Sequence, residues 1–89
     1  MAKAEISWKS RTAEGNKREV YAQRIGGRWK FFARERRYDR WIALAEPPIE
    51  DWLELLDAVR RRVARRLLRP EEENRVKKTI VEHFPGTAF

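Results

Sequence analysis

The residues of this chain whose types and spacing could do chemistry lie between Asn16 and Arg36, NKREVYAQRIGGRWKFFARER. Aromatic, amide and cationic side chains recur there at every second position: Tyr21 and Gln23 before Gly26-Gly27, then Arg28, Lys30, Phe32 and Arg34 after it. Side chains alternate across a strand, so these six share one face if both runs are extended. Rings stack on unpaired bases and cations follow phosphates, so the expected chemistry is the binding of a single-stranded nucleic acid. Gly26-Gly27 is the pair that a tight two-residue hairpin turn with positive φ favours. With those glycines as the whole loop, the register pairs Ile25 with Arg28, Gln23 with Lys30, Tyr21 with Phe32 and Glu19 with Arg34. The opposite face then carries Val20, Ala22, Trp29, Phe31 and Ala33, and suits cover by a helix.

Catalytic chemistry has little to draw on. The chain has no cysteine, which removes disulfides, thiolate metal sites and a cysteine nucleophile. His83 is the one histidine, and with no Ser or Thr beside it to suggest a triad it reads as a helix-end residue. Carboxylates gather where helices are expected to begin, and the helix dipole explains them there. No glycine-rich phosphate loop is present. The expectation is a non-enzyme with no catalytic residue, cofactor, metal or small-molecule substrate.

The elements that must position the hairpin can be read in order. Residues 4–11 alternate, with Ile6 and Trp8 inward and Glu5, Ser7, Lys9 and Arg11 outward, and form a first strand. Strands two and three are expected at about 17–25 and 28–36. A fourth at about 40–46 puts Ile42 and Leu44 toward the core and Trp41 on the basic face. Pro47-Pro48 stops it, because proline lacks the donor a ladder needs and suits helix entry. From 49 to 68, Ile49, Trp52, Leu53, Leu56, Val59, Val63 and Leu67 form one apolar stripe, with acids first and arginines last, as the dipole favours. Leu55 and Leu68 fall off that stripe. Pro70 is expected to end this helix and open a shorter one over 71–84. The fold class expected is α+β: a four-stranded antiparallel sheet backed by one long amphipathic helix, plus a shorter C-terminal helix, in a single domain spanning 1–89.

Composition points the same way. The 89 residues carry a formal charge of +7 and a pI near 10.4, which matches the basic footprint of nucleic-acid binders. The charge is uneven: residues 1–46 hold 12 Lys/Arg against 6 Asp/Glu, and residues 70–89 hold 3 against 4. No apolar run reaches membrane-spanning length and MAKAEISWKS lacks a secretory core, so no membrane partner is expected and the cytoplasm, nucleoid association included, is the expected location. Arg60, Arg61, Arg62, Arg65, Arg66 and Arg69 cover most of the long helix away from its stripe. As a solvated face they need no ligand, and that reading stands slightly ahead of phosphate binding. A chain this short often relies on oligomerisation, and Leu55 and Leu68 would be left exposed, so a homodimer is expected.

The order of elements resembles the PUR repeat of the purine-rich-element-binding proteins and, more loosely, the Whirly group. The local matches are Asn16-Lys17-Arg18 opening strand two, Tyr21 within it, Gly27-Arg28-Trp29 opening strand three, and the Ile42, Leu44 strand running on to Trp52-Leu53. They cover about residues 5–67. The resemblance implies a twisted sheet backed by a helix, paired repeats, and binding of purine-rich single-stranded DNA or RNA, with Lys17, Arg18 and Arg28 matching binding positions in type and place. The hairpin connection and the link from strand three to four are shorter than the family's, and the helix after Pro70 has no counterpart in it.

The expected binding set is thus Tyr21, Gln23, Arg28, Lys30, Phe32, Arg34 and Trp41 as one face, with Lys9, Arg11, Lys17 and Arg18 at its edge. Two other readings use different chemistry. One is a duplex-binding module like the three-stranded domain with which phage integrases read arm sites; a real first strand counts against it. The other is a protein-interaction module whose arginine-rich helix meets an acidic partner.

Overall fold

A computed structural model of the chain describes residues 5–12 and 14–89. Ala4, expected to open the first strand, lies outside them. The chain divides into two compact units, Met1–Pro47 with the sheet and Pro48–Phe89 with both helices.

The sheet is antiparallel with strands in chain order: β1 (Glu5–Arg11), β2 (Lys17–Ile25), β3 (Arg28–Arg34) and β4 (Ile42–Leu44). The β2–β3 register is the expected one, from Ile25 opposite Arg28 to Glu19 opposite Arg34. Gly26 and Gly27 make it so, because both adopt positive φ, 58° and 79°, and form a two-residue turn that leaves no slack for a bulge. One face of the sheet is apolar, and Ile6, Val20, Ala22, Phe31 and Ala33 on it are buried, with Trp8 meeting Phe31 edge to face.

β3 and β4 are shorter than expected. Arg36 and Asp39 close a turn through Asp39 N–H to the Arg36 carbonyl and Arg36 N–H to the Asp39 carboxylate, which ends the ladder at Arg34. Ile42 pairs with Ala33 but is 66% exposed, so it is not the core residue expected. A three-residue strand on the sheet's outer edge has no neighbour beyond it to cover such a side chain.

In the second unit, α1 (Ile49–Ala64) and α2 (Pro70–His83) run antiparallel: Trp52 stacks on His83 at 5.7 Å, and Arg60 Nε lies 3.6 Å from the Glu73 carboxylate. The buried stripe of α1 is Asp51, Trp52, Leu55, Leu56, Ala58 and Val59, and Val76 and Ile80 of α2 are buried as well. The stripe is therefore turned from its expected setting: Leu55 is wholly buried and Leu53 exposed. Leu55 cannot then supply a dimer contact, and Leu68 is half-buried.

α1 also ends earlier than Pro70 demands. Arg66 takes a left-handed φ of 61°, its N–H bonding the Val63 carbonyl and the Leu67 N–H bonding that of Arg62. This is a Schellman cap with arginine where glycine is usual, at a cost of roughly 1–2 kcal/mol for the side chain's crowding. Pro70 then opens α2 at a position where its missing donor costs nothing. Among the described residues, no helix is long and apolar enough to cross a membrane.

Candidate nucleic-acid interface

The polar face of the sheet is built in rows by the two long registers. Across the middle run Ser7, Tyr21, Phe32 and Ala43; toward the hairpin lie Glu5, Gln23 and Lys30, then Ile25 and Arg28; on the other side come Lys9, Glu19 and Arg34, then Arg11 and Lys17. Rings thus occupy the centre and cations both ends. The span along β2 from Lys17 to Gln23 is roughly 20 Å at strand rise. Arg28, Lys30, Lys9, Arg34, Arg11 and Lys17 outnumber the carboxylates Glu5 and Glu19 on this face.

The rings form a cluster. Tyr21 and Phe32 are stacked, centroids 4.8 Å apart at 18°, as a directly opposed cross-strand pair can be. Trp41, just before β4, meets Tyr21 edge-on at 4.6 Å. All three are half-buried, so each keeps some surface toward solvent. A stacked ring has one face taken, which leaves a base the outer face of the pair rather than both rings separately.

Arg34 is committed within this cluster. Its Nε and Nη2 both donate to Glu19 Oε2, at 3.2 and 3.1 Å, and its guanidinium carbon sits 4.2 Å over the Trp41 ring. The side chain is 21% exposed. It joins the two end strands of the ring cluster and is a positioning residue more than a free cation. Lys9, Lys17, Arg28 and Lys30 are exposed. Arg11 is exposed too, with Nη1 donating to the Gly15 carbonyl 3.0 Å away, and it stands directly opposite Lys17, a like-charge pair that an anion would relieve.

Arg18 departs from the expected set. Its even position turns it to the face of Val20, where it donates to Ser10 Oγ at 3.2 Å and lines a hollow of about 390 Å³ with Ala33, Ile42 and Leu44. The alternation that places Lys17 at the edge of the ring face excludes Arg18 from it. The other ten expected residues belong to one side: nine by register, and Trp41 by its contacts with Tyr21 and Arg34. The expected set omitted Ser7 and Glu19, which complete the central row and the Arg34 anchor. Both follow from extending the hairpin register to β1 and from asking which carboxylate opposes Arg34.

The fold and this face define an α+β chain with a basic, aromatic sheet surface. Compared with family models, curated proteins and solved structures, the chain matches none.

Proposed function

We propose that this chain is a non-catalytic, PUR-like module that binds single-stranded DNA or RNA through the ring-and-cation face of its sheet, acting in the cytoplasm as a homodimer. The observation that carries the reading is the Tyr21–Phe32–Trp41 cluster at the centre of a face with exposed cations at both ends. Stacking on rings is tolerant of sequence, and flanking cations neutralise phosphates on either side of a stacked base. The presence of β1 favours this over a three-stranded duplex reader. With Leu55 buried, the exposed apolar side chains open to a second copy are others, such as Ile42.

The test is fluorescence anisotropy with a labelled single-stranded oligonucleotide over a salt series, with sedimentation in the same buffer to give the oligomeric state. Lys30→Ala should weaken binding and reduce the slope of log K against log salt by about 0.7, the value of one phosphate contact on a single strand. Phe32→Ala should cost roughly 1–3 kcal/mol and leave that slope alone. Parent-like binding by both variants would sink the reading, and a monomer at tens of micromolar would remove the dimer from it.

A further inference from the structure

We propose that the turn between α1 and α2, carrying Arg62, Arg65, Arg66 and Arg69, is a second contact surface for the phosphate backbone of a nucleic acid. The six arginines of this stretch are not equivalent. Arg60 is paired with Glu73 at 3.6 Å and Arg61 with Asp57 at 3.4 Å. Arg62, Arg65, Arg66 and Arg69 make no ion pair among the described residues, and the last three are exposed.

Two simpler accounts of these side chains fall short. Complementing the helix dipole needs only cations near the C-terminus, which Arg61 and Arg62 already supply in the last turn; Arg65, the C-cap, and Arg66 add to that end, and Arg69 is the N-cap of α2, where a cation opposes the dipole. A merely solvated surface gives no reason for a large side chain at the left-handed position of Arg66, where glycine fits without crowding. Strain kept at an exposed position is a pointer to use. Every cation in the group is arginine, whose planar fork matches phosphate oxygens in pairs. Glu71, exposed at the start of α2, is the one uncompensated carboxylate close in sequence, and it limits the net charge of the turn without cancelling it.

The inference rests on the proposed function only for the choice of a nucleic acid as ligand, and one variant separates it from a structural role. Arg66→Gly relieves the left-handed strain, so the melting temperature should rise by a few degrees while the salt slope falls by about 0.7 on a single-stranded 20-mer or about 0.9 on a 20-base-pair duplex. The triple variant Arg65→Ala, Arg66→Gly, Arg69→Ala should flatten the slope by about 2 or about 2.7 respectively. Whichever probe the parent binds identifies the source of the phosphates. A rise in melting temperature with an unchanged slope in both variants overturns the proposal, as does a parent that binds neither probe. An equal loss of poly-L-glutamate binding in the triple variant also overturns it, because the partner would then be an acidic protein. Loss of binding in the triple variant while Phe32→Ala and Lys30→Ala bind as the parent does upholds this surface and removes the sheet face instead.

Discussion

Replacing Arg34 with alanine should destabilise the sheet unit without changing the salt dependence of binding, the reverse of what its charge alone suggests. The guanidinium gives two N–H groups to Glu19 Oε2 and covers Trp41 at 4.2 Å, with 21% of the arginine side chain and 34% of the glutamate side chain exposed. A partly exposed ion pair contributes about 0.2–1 kcal/mol and a cation over a half-exposed ring about 0.5–1 kcal/mol. Truncation should then cost about 1–2 kcal/mol, a fall of roughly 5–15 °C in melting temperature for a chain of this size. Arg34→Lys should recover part of the loss, since it keeps the charge and gives up the fork. A double-mutant cycle with Glu19→Gln isolates the pair, and its coupling should be of order 0.5–1 kcal/mol. In the anisotropy assay the slope should stay at the parent value, because a cation already held by a carboxylate releases no counterion from the ligand. An Arg34→Ala protein that melts like the parent and loses about 0.7 from its salt slope would refute this assignment and make Arg34 a phosphate contact.

In the helical unit, Leu55→Ala should cost about 2–5 kcal/mol in chemical denaturation, whereas Leu53→Ala should stay within about 0.5 kcal/mol; equal costs would show that the stripe is set as its spacing first suggested. The Glu73 carboxyl is held below the ordinary carboxylate range, first by its hydrogen bond from Lys77 Nζ at 2.8 Å and also by the nearby Lys77 and Arg60 charges. Its folded value lies below its unfolded one, so its contribution is complete above the ordinary range and is lost as pH falls through the depressed value. Melting temperature should therefore drop less for Glu73→Gln than for the parent between about pH 6 and pH 3, and identical drops would show that the pair contributes nothing.

Much of the fold was legible because local rules agreed with one another. Gly26-Gly27 set the turn, the turn set the register, and period-two alternation set both faces. The errors came where one residue type can serve two roles. Leu53 and Leu55 flank the Trp52, Leu56 and Val59 line on opposite sides, and spacing alone could not say which of the two α1 turns inward; Leu55 is the buried one. Pro70 is a stronger sequence signal for a helix end than Arg66, yet Arg66 ends α1, and nothing in its side chain announces a left-handed backbone. Ile42 has the right parity for the core but sits on an edge too short to bury it.

The site was legible in its membership more than in its mechanics. Parity placed nine of the residues on one side of the sheet, and the same rule, applied strictly, would have removed Arg18. What alternation cannot show is whether a charge is free. Arg34 and Lys30 are two rows apart on β3 and look alike in sequence, but Arg34 faces Glu19 across the ladder and Lys30 faces Gln23, an amide that cannot neutralise it. The consequence is a division of labour along one strand: Arg34 holds Trp41 and, through it, the ring pair in place, while Lys30 is the exposed cation beside that pair. Phosphates on either side of a base stacked at the centre would meet Lys30 and Arg28 at the hairpin end and Lys9, Arg11 and Lys17 at the other, where Arg34 is already held by Glu19. Binding strength should therefore depend more on the hairpin-end cations than on Arg34, even though all three carry the same charge.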